Sequence, residues 1–222
     1  MRIGIIGTGA MARALGTHWA RAGHEVLIGG RSAARADGLA RRLGGRPGTP
    51  AEAALFGDAT LLAVPHEAVA TVLDEAGAGE GALRDRVLID CTNAVGPGFT
   101  LTTGTGPGAA RRIAAATGAR VVKAFNHCPD HVWSLTPPAF PDGPCADGGP
   151  LAEPLVVPLC GDDEAALAVV HTLVRDVGCT PLTVGPLLRA DQLEATTAFL
   201  ISLWKTGQDP RRMLPPLAAV TR

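Results

Sequence analysis

The sequence predicts an α/β fold, a doubly wound parallel sheet followed by a small C-terminal α/β extension. Two observations carry this reading. Short β-rich runs alternate with stretches of helical periodicity from the second residue onward. Runs such as Leu61-Leu62-Ala63-Val64 and Val87-Leu88-Ile89-Asp90 are apolar without alternation, as strands covered on both faces are.

Residues 2–6 read as the first strand, and 10–22 as a helix with Met11, Ala14, Leu15, His18 and Trp19 at helical spacing. A second strand follows over 25–28, and a second helix over 33–43 that Gly44-Gly45 ends. A short helix at 50–56 leads to a strand over 59–64, which Pro65 breaks. Helix 66–76, strand 87–90, helix 109–117 and strand 120–125 continue the alternation. Prolines 137, 138, 141, 144, 150 and 154 then crowd a segment without periodicity, so 134–154 is expected to be a long irregular loop. Strand 155–160, helix 162–177 with Asp162 as a possible cap, strand 180–184 and helix 189–206 complete the chain. The expected organisation is a nucleotide-binding unit over 1–133, the loop over 134–154, and a smaller unit over 155–222.

Composition removes several mechanisms. The chain has no tyrosine, and its only lysines are Lys123 and Lys205, so a Tyr–Lys dehydrogenase pair cannot form. Neither lysine follows a glycine-rich turn, which excludes a G-x-x-x-x-G-K-[ST] phosphate loop. A net charge of −1 gives no electrostatic case for nucleic acid or an anionic membrane as partner. No apolar run reaches the roughly 18 residues of a membrane span, and the first residues lack the pattern of a secretory signal. Cysteines 91, 128, 145, 160 and 179 are odd in number and contain no C-x-x-C, so neither a disulfide framework nor a metal site is expected. A cytoplasmic location fits this reading.

Gly7-Thr8-Gly9-Ala10-Met11-Ala12 is G-x-G-x-x-A, placed between the first strand and first helix, the position of a Rossmann-type dinucleotide turn. Gly7 permits the turn, Gly9 lets a pyrophosphate approach the backbone, and Ala12 keeps the helix close to the sheet. An NAD site carries an acid at the end of the second strand, about 20 residues further on. Here that place reads Gly29-Gly30-Arg31-Ser32, with Arg35 one turn beyond. Guanidinium and hydroxyl groups suit a 2′-phosphate, and arginine at a helix N-terminus is unfavourable without an anion, so NADP(H) is the expected cofactor.

With this turn, Ala22-Gly-His-Glu-Val-Leu-Ile-Gly-Gly-Arg31, Ala63-Val-Pro-His66, Ile89-Asp-Cys-Thr-Asn93 and Val121-Val-Lys-Ala-Phe-Asn126 occur in one order. The chain thereby resembles the NADPH-dependent reductases related to the NADP:coenzyme F420 oxidoreductases. Leu159-Cys-Gly-Asp-Asp163, Val184-Gly-Pro-Leu187 and Leu193-Glu194 extend the resemblance past the loop. It implies that Thr8, Gly9, Ala10 and Met11 hold the pyrophosphate, and that Arg31, Ser32 and Arg35 meet the 2′-phosphate. It further implies that Val64, Pro65 and His66 line the path from adenosine to nicotinamide, which Asn93, Ala94 and Asn126 flank. Two positions depart from the family pattern: Gly30 stands where serine is common, and Asn126 where F420-specific enzymes often carry histidine.

The resemblance implies hydride exchange between NADP(H) and a small-molecule acceptor, coenzyme F420 or a flavin-like compound. Such a transfer needs two rings held face to face and no general base. The alternative is an NADPH-dependent imine or carbonyl reductase, which needs a proton donor, with His127 and His131 as candidates and Lys123 and Cys128 more remote. A non-catalytic NADP-binding sensor is the third reading. Asn126 at the end of a strand, with His127 and His131 beyond it, completes the candidate catalytic set. Pro129 between the two histidines argues against one helical face and hence against metal binding. The last long helix, apolar on more than one face, is expected to serve a homodimer.

Overall fold

The computed structural model describes residues 1–136, 138, 154–213, 215 and 217–220. Most of the expected 134–154 loop, including Cys145, therefore lies outside the described residues. The elements in order are β1 (Arg2–Ile6), α1 (Ala10–Arg21), β2 (Glu25–Gly29), α2 (Ala33–Leu43), β3 (Arg46–Gly48), α3 (Pro50–Leu55), β4 (Ala59–Leu62) and α4 (Val69–Glu75). There follow β5 (Val87–Asp90), α5 (Ala109–Thr117), β6 (Arg120–Lys123), α6 (Asp130–Trp133), β7 (Val156–Gly161), α7 (Glu164–Asp176), β8 (Thr180–Gly185) and α8 (Ala190–Lys205).

All eight strands form one sheet in the order β3-β2-β1-β4-β5-β6-β7-β8. The first six are mutually parallel, β7 joins β6 antiparallel, and β8 pairs parallel with β7. The fold is thus α/β and Rossmann-type, with the chain from 155 onward adding two strands to the same sheet. Successive strand residues serve opposite layers. Ile3, Ile5, Ile28, Leu61 and Val122 pack with Leu15, Trp19, Val170 and Leu173 of α1 and α7. Ile6, Leu27, Leu62, Leu88 and Val121 pack with Ala53, Val72, Leu73, Ile113 and Ala190 of α3, α4, α5 and α8. The indole of Trp19, fully buried, donates to Leu173 O at 3.0 Å and ties α1 to α7.

Several boundaries differ from the sequence reading, each for a local reason. β3 was not among the expected elements; as an edge strand it tolerates Pro47, which donates nothing outward. β4 ends at Leu62, although Ala63 N still reaches Ile6 O at 2.9 Å. β6 stops at Lys123, and Phe125 takes a left-handed backbone with φ +60°. The cap of α7 is Asp163, which accepts from Ala166 N at 2.7 Å; Asp162 instead accepts from Leu187 N at 2.8 Å. His66–Ala68 form a 3-10 turn before α4, and Pro129 opens the short α6. Among the described residues no helix is long and apolar enough to cross a membrane.

Candidate functional site

β1 and β4 lie side by side, and the connections that leave their carboxyl ends run to opposite faces of the sheet. This is the switch point where such sheets open a crevice. Gly7 makes the junction possible. Its φ is +135°, and a Cβ there would stand 2.1 Å from Ala63 O of the neighbouring strand. Gly9 differs: a Cβ added to it meets nothing within 4 Å, so the protein's own packing does not demand a glycine. Gly9 opens α1 without a side-chain cap, and the first turn holds no acid. The free N–H groups and positive end of the helix therefore face open space, as an anion site requires.

Beside this turn, the end of β2 supplies the second part of the site. A Cβ on Gly30 would lie 2.6 Å from Thr8 Cγ2, so the threonine methyl occupies the space that a serine would need. The departure at Gly30 is thus matched to Thr8. The Ser32 side chain caps α2, accepting from Arg35 N at 3.4 Å, and its hydroxyl hydrogen remains free to donate. Arg31 and Arg35 are exposed, and neither has an ion pair or side-chain hydrogen bond among the described residues. Together with Gly7, Thr8, Gly9, Val64 and Pro65, these three residues line a cleft of about 530 Å³ that contains no carboxylate. Pro50, Ala68 and Val72, which the sequence reading did not single out, form its apolar wall. That size lies within the range of cofactor sites.

The other expected residues lie apart from this cleft. Ala10 lines an adjoining depression, and Met11 packs on the core. His66 is half-buried, with its Nδ1 unpartnered. Ala94 is fully buried, its carbonyl accepting from Thr102 N at 2.8 Å. Asn93 and Asn126 pair at the ends of β5 and β6. Asn93 Nδ2 donates to Asn126 O at 2.7 Å, and Asn126 Nδ2 donates to Asn93 Oδ1 at 3.0 Å and Thr197 Oγ1 at 3.2 Å. Asn126 Oδ1 is buried and accepts nothing. It is an acceptor awaiting a donor.

Beneath this pair lies a charge network that only the fold assembles. Lys123, fully buried, donates to Asp90 Oδ2 at 2.8 Å, Thr92 O at 2.6 Å and Glu194 Oε1 at 2.9 Å. Burial alone would push its amine down, but the Asp90 and Glu194 carboxylates outweigh that and hold it above its ordinary value. Glu194 also accepts from Ala109 N at 2.8 Å and Ala110 N at 3.1 Å, so α8 caps α5 with a carboxylate. Lys123 is therefore a structural pairing group that fixes the backbone just before Asn93.

Of the remaining candidate donors, Cys128 and His127 are masked by burial. Burial pushes the Cys128 thiol up to about 12. His131 is exposed on α6. Trp133 is fully buried, edge-on to Phe125 at 5.4 Å and His127 at 5.2 Å, so it packs the interior and offers no stacking platform. Both ring nitrogens of His127 are buried and unpartnered, and burial lowers its pKa to about 4. In the unfolded chain it titrates near pH 6.5. Stability should therefore fall as pH drops from about 6.5 towards 4, by up to about 1.4 kcal/mol per pH unit. His127→Phe is expected to flatten that limb in urea titrations at pH 7 and 5; parallel losses in both proteins would contradict it. Among the described residues, no three His, Cys, Asp or Glu side chains are placed to hold a metal ion.

Residues 2–94 match the family described as NADP oxidoreductase, coenzyme F420-dependent. The family is one of NADP-dependent oxidoreductases. Rat metalloreductase STEAP3 is 29% identical over 205 residues, which cover 92% of the chain and 38% of the metalloreductase. The chain thus spans little more than a third of that relative. A solved structure from Arthrobacter sp. fb24, named as a candidate F420-dependent NADP-reductase, shares 24% identity with a TM-score of 0.75, covering 93% of this chain and 95% of the other. An imine reductase of Streptomyces aurantiacus shares 20% identity with a TM-score of 0.61, covering 93% and 65%. At these identities the two structures establish the fold alone.

Proposed function

We propose that the protein binds NADP(H) and exchanges a hydride with coenzyme F420 or a flavin-like acceptor. The observation that carries the cofactor is the pair of unpaired guanidiniums, Arg31 and Arg35, beside the open N-terminus of α1 in a cleft without carboxylates. In this reading Thr8, Gly9, Ala10 and Met11 hold the pyrophosphate through backbone N–H groups, and Arg31, Ser32 and Arg35 hold the 2′-phosphate. Val64, Pro65 and His66 line the way to the nicotinamide, which Asn93, Ala94 and Asn126 flank. The unpartnered Asn126 Oδ1 fits a carboxamide N–H₂ donor. When bound, the nicotinamide supplies the hydride chemistry; the chain orients it and excludes water.

The acceptor rests on two supports. The family over residues 2–94 is defined by coenzyme F420. An imine or carbonyl reductase would also need a proton donor, and Lys123 is locked between carboxylates while Cys128 holds its proton to about pH 12. His127 is neutral at pH 7 with its ring against Trp133. Of the named donors only His131 is exposed, and ring-to-ring hydride exchange needs none of them. Mixing the protein with NADPH and oxidised F420 should bleach the deazaflavin's visible absorbance. Intact NADPH binding without bleaching would reject the acceptor and leave the cofactor reading standing.

We also place a homodimer contact on α8, where Phe199 is 53% and Trp204 40% exposed. Sedimentation at micromolar concentration should give a dimer; a monomer would overturn this.

A further inference from the structure

Next to the dinucleotide cleft, across Thr8 and Gly9, a second depression of about 430 Å³ runs between α1 and α2. Arg13, Arg35 and Arg42 line it, and its wall contains no acidic residue. The helices dictate this convergence. Arg35 and Arg42 are two turns apart on one face of α2, and Arg13 sits one turn beyond Gly9 on α1. Between the two α2 arginines stands Gly38, where an added Cβ would meet nothing within 4 Å, so the floor of the groove is left open. The nearby Asp37 carboxylate is taken by Arg41, which does not line the groove. None of the three guanidiniums has a side-chain partner among the described residues, although other arginines do: Arg86 bonds three backbone carbonyls, and Arg111 pairs with Asp191.

Three like charges gathered on a concave surface repel one another unless an anion joins them. Guanidinium forks suit phosphate oxygens in particular. We infer that this groove is an anion site in its own right, for a ligand carrying a phosphate or pyrophosphate group other than the dinucleotide's. Arg42 and Arg13 are absent from the dinucleotide cleft, whereas Arg35 lines both. An anion in the groove therefore draws on a guanidinium that the 2′-phosphate also uses, and its occupancy weakens NADPH binding more than NADH binding.

The inference does not require the hydride-transfer reading, and inorganic pyrophosphate tests it directly by calorimetry. Wild-type protein should bind the probe. Arg42→Ala and Arg13→Ala, two surface changes, should each weaken it roughly tenfold or more. NADPH affinity without probe should stay within about twofold in Arg42→Ala. Because Thr8, Gly9 and Ala10 also border the groove, saturating pyrophosphate should raise the Kd for both dinucleotides, but that for NADPH several-fold more at matched ionic strength. Probe binding that survives Arg42→Ala but vanishes in Arg31→Ala would assign the anion to the dinucleotide cleft and overturn the inference. So would binding abolished by equal ionic strength of sodium chloride, or no binding at all. Failure to bind NADPH would instead sink the cofactor reading, and the pyrophosphate titrations would still decide this one.

Discussion

Arg31→Ala is expected to weaken NADPH binding about 10- to 100-fold and to change NADH binding by less than about threefold. In the proposed reading, removing the guanidinium deletes charge-assisted hydrogen bonds to a group that only NADPH carries, each worth roughly 1.5–3 kcal/mol. Arg31 is a clean site for this test, since it is exposed and has no ion pair among the described residues to disturb. Ser32 is not. Its side chain also caps α2, so Ser32→Ala would confound lost affinity with a cap loss of about 1 kcal/mol. Fluorescence titration with both dinucleotides reads the difference. Equal weakening of NADPH and NADH would mean that Arg31 serves a part common to both cofactors, and the NADP assignment would fall.

Lys123→Met should cause the largest loss of stability, about 3–5 kcal/mol in urea unfolding. The thioether fills similar space but leaves the buried carboxylates of Asp90 and Glu194 without their shared cation. The cost comes chiefly from the charges left behind. Adding Asp90→Asn to Lys123→Met should therefore cost less than the two single losses combined, since a neutral amide is easier to bury. Simple additivity would show that the pair is not coupled. The same substitution frees Thr92 O from its 2.6 Å bond and so loosens the backbone that carries Asn93.

How much of this could be read in the residues varies with distance along the chain. The Gly7–Ala12 turn was legible because strand, turn and helix N-terminus are consecutive, and Gly7 has the backbone angle the motif requires. The stop at Gly44 was legible for the same reason, its φ of +67° being a left-handed helix cap. The two neighbouring aspartates were harder. Asp162 and Asp163 are chemically equal as caps, and the choice depends on Leu187 N, which the fold brings to Asp162. Arg13 and Arg42 could have been noticed as exposed positions on helical faces, but nothing local says that the two faces meet.

By itself the sequence determined the α/β alternation, the glycine turn between β1 and α1 and the absence of an acid at the end of β2. Each of these is a matter of neighbouring residues and backbone sterics. Tertiary structure decided what Lys123 does, since its carboxylate partners lie 33 and 71 residues away and meet it only when β5, β6 and α8 pack. It also decided that Thr8 fills the space beside Gly30, and that His127 turns onto Trp133 instead of standing free in a loop. Periodicity records which face of an element is buried. What a buried polar group touches there depends on which distant elements close over it.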